Sequence, residues 1–160
     1  MYQRVVEALE EFFGDDERRI LHAKEVHSLS LRINEIEGGE REVVALAALL
    51  HDVGIKPAEE LYGSSRAAYQ EELGPPVAEE ILLRLGFDEA TISSVKEIIA
   101  SHHTPGRVTT TEFACIWDAD MIVNLKDAEN RASGKAMEEI IDRRFMTDGG
   151  KKIAREILME

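Results

Sequence analysis

Four side chains of metal-binding type fall at inward positions of separate helical segments, and together they suit a divalent transition ion. Counting 100° per residue from His22, the side chains of Val26, Leu29, Ile33 and Ile36 lie within about 40° of it, so His22 faces the apolar side of its helix. His27 lies about 140° away and is expected in solvent. The run from Val43 to Leu50 is apolar at every position and ends in His51-Asp52 before Val53-Gly54. A buried carboxylate is costly without a partner, so this pair needs an ion pair or a metal. With Asp120 as origin, Phe113, Ile116 and Asn124 fall within about 40° and Trp117 within about 60°, whereas Asp118 is about 160° away. Asp120 is therefore the inward acid, Asn124 joins its face as a pocket residue, and Asp118 is expected at the surface or, at most, behind the metal-binding residues. Two imidazoles and two carboxylates leave coordination positions for water and substrate. Each residue alone has a bland explanation, such as a core histidine bonded to a carbonyl or an aspartate paired with an arginine. Four of them on three apolar faces point jointly to a metal.

The segments that must position these residues all read as helices. Apolar residues recur at helical spacing along nearly the whole chain, and no segment alternates with period two. Gly14, Gly38-Gly39 and Gly54 close three helices over roughly 2–13, 15–36 and 40–52. Residues 53–63 read as an irregular loop punctuated by Pro57 and Gly63. Further helices are expected at about 64–72, 75–85, 88–103, 110–125, 133–145 and 148–159, with Pro75-Pro76 in the first turn of one and Asp88 capping another. The expected fold is all-α, a compact helical bundle of about seven to nine helices in which residues 1–160 form one domain.

Three stretches carry a resemblance: Arg19-Ile20-Leu21-His22-Ala23-Lys24-Glu25-Val26, Leu49-Leu50-His51-Asp52-Val53-Gly54, and Ala119-Asp120-Met121-Ile122-Val123-Asn124. In order and spacing they look like the HD-domain superfamily of metal-dependent phosphohydrolases, over roughly residues 15–130. The resemblance implies an all-helical scaffold in which His22, His51, Asp52 and Asp120 bind one metal. Tyr69-Gln70-Glu71-Glu72-Leu73-Gly74-Pro75-Pro76 is similar to a segment that carries an extra histidine in two-metal members. Here Gln70 stands at that position, and an amide is a poor ligand for a transition metal. Ile98-Ile99-Ala100-Ser101-His102-His103 resembles the His-His segment that completes a second metal site in some members. One divalent metal (Mn, Fe, Co, Ni or Zn) is therefore the expected cofactor, ahead of two. His102 and His103 have an equally good reading at a helix C-terminus, where imidazoles meet the terminal carbonyls.

A metal with open positions polarises a phosphoryl oxygen and acidifies water. The implied reaction is hydrolysis of a phosphate ester, of a nucleotide or another small phosphorylated metabolite, with Asp52 as both ligand and orienter of the water. Charge developing on the phosphate calls for cations. Arg18, Arg19, Lys24, Lys56 and Arg66 flank the motifs; Lys56, just past His51-Asp52, is the favoured catalytic cation, with Arg19 and then Arg66 as phosphate-binding candidates. Glu71 or Glu72 fits a general acid or base as well as a charged helix face. A net charge of −13, from 19 basic and 32 acidic side chains, disfavours bulk nucleic acid and anionic membranes as partners, which leaves a small anion as substrate. The lone Cys115 cannot form an intramolecular disulfide, the N-terminus is an acidic amphipathic stretch, and the apolar run 43–50 is too short for a bilayer. A cytoplasmic setting is expected, with the last two helices supplying packing and homodimer contacts. Two alternatives stand beside the phosphohydrolase: a di-iron HD-type oxygenase, which Gln70 counts against, and a non-catalytic sensor or binding module, which has no need of four buried ligands.

Overall fold

The computed structural model describes residues 2–159 and folds them into nine α-helices, with no strand among the described residues. In chain order these are α1 (Gln3–Phe13), α2 (Glu17–Glu37), α3 (Arg41–Leu50), α4 (Ile55–Tyr62), α5 (Ala67–Arg84), α6 (Glu89–Ile99), α7 (Thr111–Asp127), α8 (Gly134–Arg144) and α9 (Asp148–Leu158). Side-chain caps start four of them, where Asp16 accepts from Arg19 N–H, Asp88 from Thr91, Thr110 from Phe113 and Thr147 from Gly150.

The apolar run 43–50 sits at the centre as α3, every residue of it buried. Helices α1, α2, α6 and α7 surround it, which is why that segment has no polar stripe. Helix α2 packs along both α3 and α7, and α9 closes over α7 and α2. No helix among the described residues is long and apolar enough to cross a membrane.

Three boundaries differ from the sequence reading. The expected loop at 53–63 contains α4, and its Pro57 is the third residue of the helix, where no intrahelical N–H partner is needed. The expected separate helices at 64–72 and 75–85 are one, α5, with Pro75 and Pro76 inside it rather than in a first turn. Two prolines remove two donors from a helix interior, yet α5 continues because its face Gln70, Gly74, Pro75 and Ala78 is buried. Gly54 and Gly74 let the chain pass there backbone to backbone, since a Cβ on Gly54 would come within 2.4 Å of the Gln70 carbonyl oxygen. Finally, α6 ends at Ile99, so His102 and His103 belong to the turn that follows it.

Candidate metal centre

The His51-Asp52 pair leaves the C-terminus of α3 where α2, α7 and the turn after α6 converge. His51 Nδ1 donates to the Ala48 carbonyl at 2.7 Å, which directs Nε2 inward. His102 is set the same way by the Ile99 carbonyl, at 2.8 Å. Both Nε2 atoms are buried and make no hydrogen bond among the described residues. They face carboxylates instead. His51 Nε2 lies 3.2 Å from Asp52 Oδ2 and 3.4 Å from Asp120 Oδ1, and His22 Nε2 lies 3.0 Å from Asp120 Oδ1 and 3.4 Å from Asp52 Oδ2.

An imidazole nitrogen whose partner Nδ1 carries the proton is an acceptor, and so is every carboxylate oxygen. Acceptors placed this close need a proton or a cation between them. Ligands bound at about 2.0–2.2 Å to a common ion stand about 3.0–3.5 Å apart at angles between right and tetrahedral, and the separations of 3.0–3.4 Å fall in that range. The donor atoms of His22, His51 and Asp52 lie within 4.8 Å of one another. The residues therefore fit a divalent metal by type, by spacing and by the orientation of their lone pairs.

Electrostatics agree with the geometry. Burial alone would lower the His51 pKa, but Asp52 and Asp120 hold it well above the ordinary imidazole value. Burial would raise the pKa of Asp52, yet His51 and His102 pull it well below the usual carboxylate range. Asp120 is depressed likewise, with burial opposing and the neighbouring imidazoles of His22 and His51 prevailing. The cluster is thus poised to hold two carboxylate charges against positive charge, whether protons or an ion.

His102 Nε2 is 3.6 Å from Asp52 Oδ1, and Asp52, His102 and His103 form a second group able to hold a metal, sharing Asp52 with the first. Gln70 completes its surroundings: its Oε1 lies 3.0 Å from His103 Nε2, and its amide donates to the Ser65 carbonyl. The two readings of His102 thus hold together, for one nitrogen meets a helix-end carbonyl while the other points at the site. The turn itself is held by Glu71, which accepts from His103 N–H, the Thr104 hydroxyl and Arg107. Glu71 therefore positions this turn, and Glu72 accepts from the Tyr62 hydroxyl.

Two expected surface residues are not at the surface. Asp118 is fully buried: its Oδ1 accepts from Met146 N–H at 2.8 Å and its Oδ2 from Thr147 N–H and Oγ1–H at 2.9 and 2.7 Å. Helix α9 covers the face of α7 that the helical wheel assigned to solvent, and a Cβ on Gly150 would fall 2.1 Å from Asp118 Oδ2. His27 is half-buried, with Nδ1 3.2 Å from the Ala45 carbonyl and its ring edge-on to Tyr2. Burial lowers its pKa. Neither residue reaches the metal-binding groups.

The expected cations are also redistributed. Lys56, the favoured catalytic cation, instead donates to the Phe12 carbonyl and lies over the Phe12 ring, because α4 packs that side chain toward α1. Arg19 is engaged by Asp16 and Glu59, and Arg66 lies over the Tyr69 ring. A cleft of about 860 Å³ opens onto His22 and Asp52, with Asn124 exposed in its wall.

Comparison with known proteins agrees with this geometry. Residues 19–143 match the HD domain family. The structure is similar to a crystal structure described as a predicted HD superfamily hydrolase from an uncultured Thermotogales bacterium. The TM-score is 0.71 and the identity 26%, covering 97% of this chain and 83% of that one. No curated protein matches the chain. With most of its length matched to the family and the His-Asp pair at the centre of its site, the chain belongs to the HD domain family.

Proposed function

We propose that this protein is a metal-dependent phosphohydrolase that cleaves a phosphate ester of a nucleotide or another small phosphorylated metabolite, with one divalent transition metal held by His22, His51, Asp52 and Asp120. The observation that carries the reading is the buried, unpartnered His51 Nε2 facing two carboxylate oxygens. A metal held there supplies Lewis acidity toward a phosphoryl oxygen and acidifies water near neutral pH.

The chain's own groups divide the remaining work. The Ala48 carbonyl keeps the proton on His51 Nδ1, so Nε2 is the ligand atom. Asp52 Oδ2 faces the two imidazoles, whereas Oδ1 faces His102. Oδ1 is thus the atom that orients the attacking water, and His102 Nε2 beside it, without a hydrogen-bond partner among the described residues, is placed to receive the water's proton. The cleft admits a small ester and offers no broad cationic surface for a polynucleotide, in keeping with a net charge of −13.

Elemental analysis of protein purified without a metal-affinity tag, beside a phosphate-release screen, tests the proposal. About one transition metal per chain with phosphate release is the expected result. Two irons with oxygen uptake and no phosphate release would favour an oxygenase built on the Asp52, His102 and His103 group. No metal after incubation with manganese or nickel would overturn the enzyme reading.

A further inference from the structure

If the site cleaves phosphate esters, as the phosphohydrolase reading on which this inference rests holds, a cation must grip the phosphate and the cleft must select the ester. Of the five cations that flank the motifs, four are engaged elsewhere. Arg19 pairs with Asp16 and Glu59, Lys24 with Glu10 at 3.1 Å, Lys56 with the Phe12 carbonyl, and Arg66 lies over Tyr69. Arg18 has neither an ion pair nor a hydrogen bond among the described residues, and it lines the cleft that opens onto His22 and Asp52. It precedes His22 by one helical turn on the same face of α2, about 6 Å along the axis. A phosphate directed at the His22 and Asp52 side of the site is within reach of its guanidinium, whose planar fork matches two phosphate oxygens.

The outer cleft has the opposite character. Apart from Asp52, carboxylates in its wall outnumber guanidiniums four to two. Glu25 is neutralised by Lys126 and Asp16 by Arg19. Asp127 and Glu129, at the end of α7, are less covered: Lys126 is 3.9 Å from Asp127, and Glu129 has no cation partner among the described residues. Asn124 adds an amide, and Leu21, 59% exposed, adds an apolar side chain to the α2 wall. Such a rim accepts hydrogen bonds from hydroxyl or amino groups and packs against a flat apolar group. A second or third phosphate there would meet uncompensated carboxylates at short range.

We propose that Arg18 binds the substrate phosphate and that the Asp127–Glu129 rim restricts the site to phosphate monoesters whose remaining part is uncharged or cationic, excluding di- and triphosphates. The test measures calorimetric binding of inorganic phosphate, AMP and ATP to manganese-loaded protein, together with turnover of AMP and ATP. The proteins compared are the parent, Arg18→Ala, Arg18→Lys and the double variant Asp127→Asn/Glu129→Gln.

Arg18→Ala should weaken phosphate and AMP binding by about tenfold and raise KM far more than it lowers kcat, with metal content and Tm unchanged. Arg18→Lys should restore only part, because an ammonium lacks the bidentate fork. The parent should bind AMP about tenfold or more tighter than ATP, and the rim variant should narrow that ratio severalfold. Phosphate binding that is absent from the parent or indifferent to Arg18, or ATP binding as tight as AMP, overturns the inference. Arg18-dependent phosphate binding without release from any ester sustains the inference and overturns the hydrolase reading. Release from AMP that ignores Arg18 does the reverse.

Discussion

Asp118 and Asp120 stand two positions apart on α7, and their replacements should fail in opposite ways. Asp118 accepts three hydrogen bonds from Met146 and Thr147 and so ties the start of α9 to α7. Truncation to alanine leaves those three donors without their partner in the interior. Each unpaired buried donor costs about 1–3 kcal/mol, while relief from burying a charge returns part of the sum, giving a net loss of about 3–5 kcal/mol. For a chain of 160 residues, about 1 kcal/mol moves Tm by about 2–4 °C, so the expected drop is about 6–20 °C. The assay is thermal unfolding by circular dichroism of chelator-treated protein, paired with the metal content of the folded, untreated protein. Asp118→Ala should melt early yet carry parental metal at low temperature. Asp120→Ala should lack metal even when fully folded at low temperature. An Asp118→Ala protein that has lost its metal but melts like the parent would put Asp118 at the ion and refute the register of α7 on which both roles depend.

His22→Ala should lose metal, whereas His27→Ala, losing its bond to the Ala45 carbonyl and its edge-on contact with Tyr2, should keep metal and give up about 1 kcal/mol in a denaturant titration; the reverse pattern would exclude His22 as a ligand. The pH dependence follows from the signs of the shifts. In metal-free protein the raised pKa of His51 contributes stability that is complete below its ordinary 6.5 and is lost as pH rises through the raised folded value. The lowered values of Asp52 and Asp120 contribute stability that is complete above 3.8 and is lost only as pH falls through them. Raising pH thus weakens the metal-free form while an ion competes better with the His51 proton, so the Tm gain from manganese should widen from roughly pH 6 to pH 9. A constant gain would show that His51 does not exchange a proton for the metal. Gln70→His places an imidazole beside His103 at the Asp52, His102 and His103 group, and metal content should rise from about one to about two per chain; an unchanged content would show that Gln70 does not border a second site.

Much of the candidate site was legible in the sequence because each proposed ligand sits where a local pattern betrays it. His22 and Asp120 interrupt apolar stripes, and His51-Asp52 ends a helix apolar on all sides. Periodicity reports which way a side chain faces relative to its own helix, and that was enough to bring α2, α3 and α7 together around four polar groups. What covers the other faces of those helices is decided by contacts far apart in the chain. Asp118 looked exposed because its partners, Met146 and Thr147, lie 28 and 29 positions away. Lys56 looked catalytic because it follows Asp52, but its tether is Phe12, 44 positions back. The prolines of α5 read as a helix start, but packing of Gln70 and Gly74 against the chain at Gly54 carries one helix through both of them. His102 and His103 had the right chemistry in either reading, and only the Ile99 carbonyl aims His102 at Asp52 while Glu71 holds the turn that sets His103 beside Gln70. The sequence by itself determined an all-helical chain and the kinds of atom that meet at its centre, because both are written in residue type and helical period. Tertiary packing decided which cations remain free to meet a substrate and which carboxylates are structural, because burial and pairing depend on neighbours that no local pattern names.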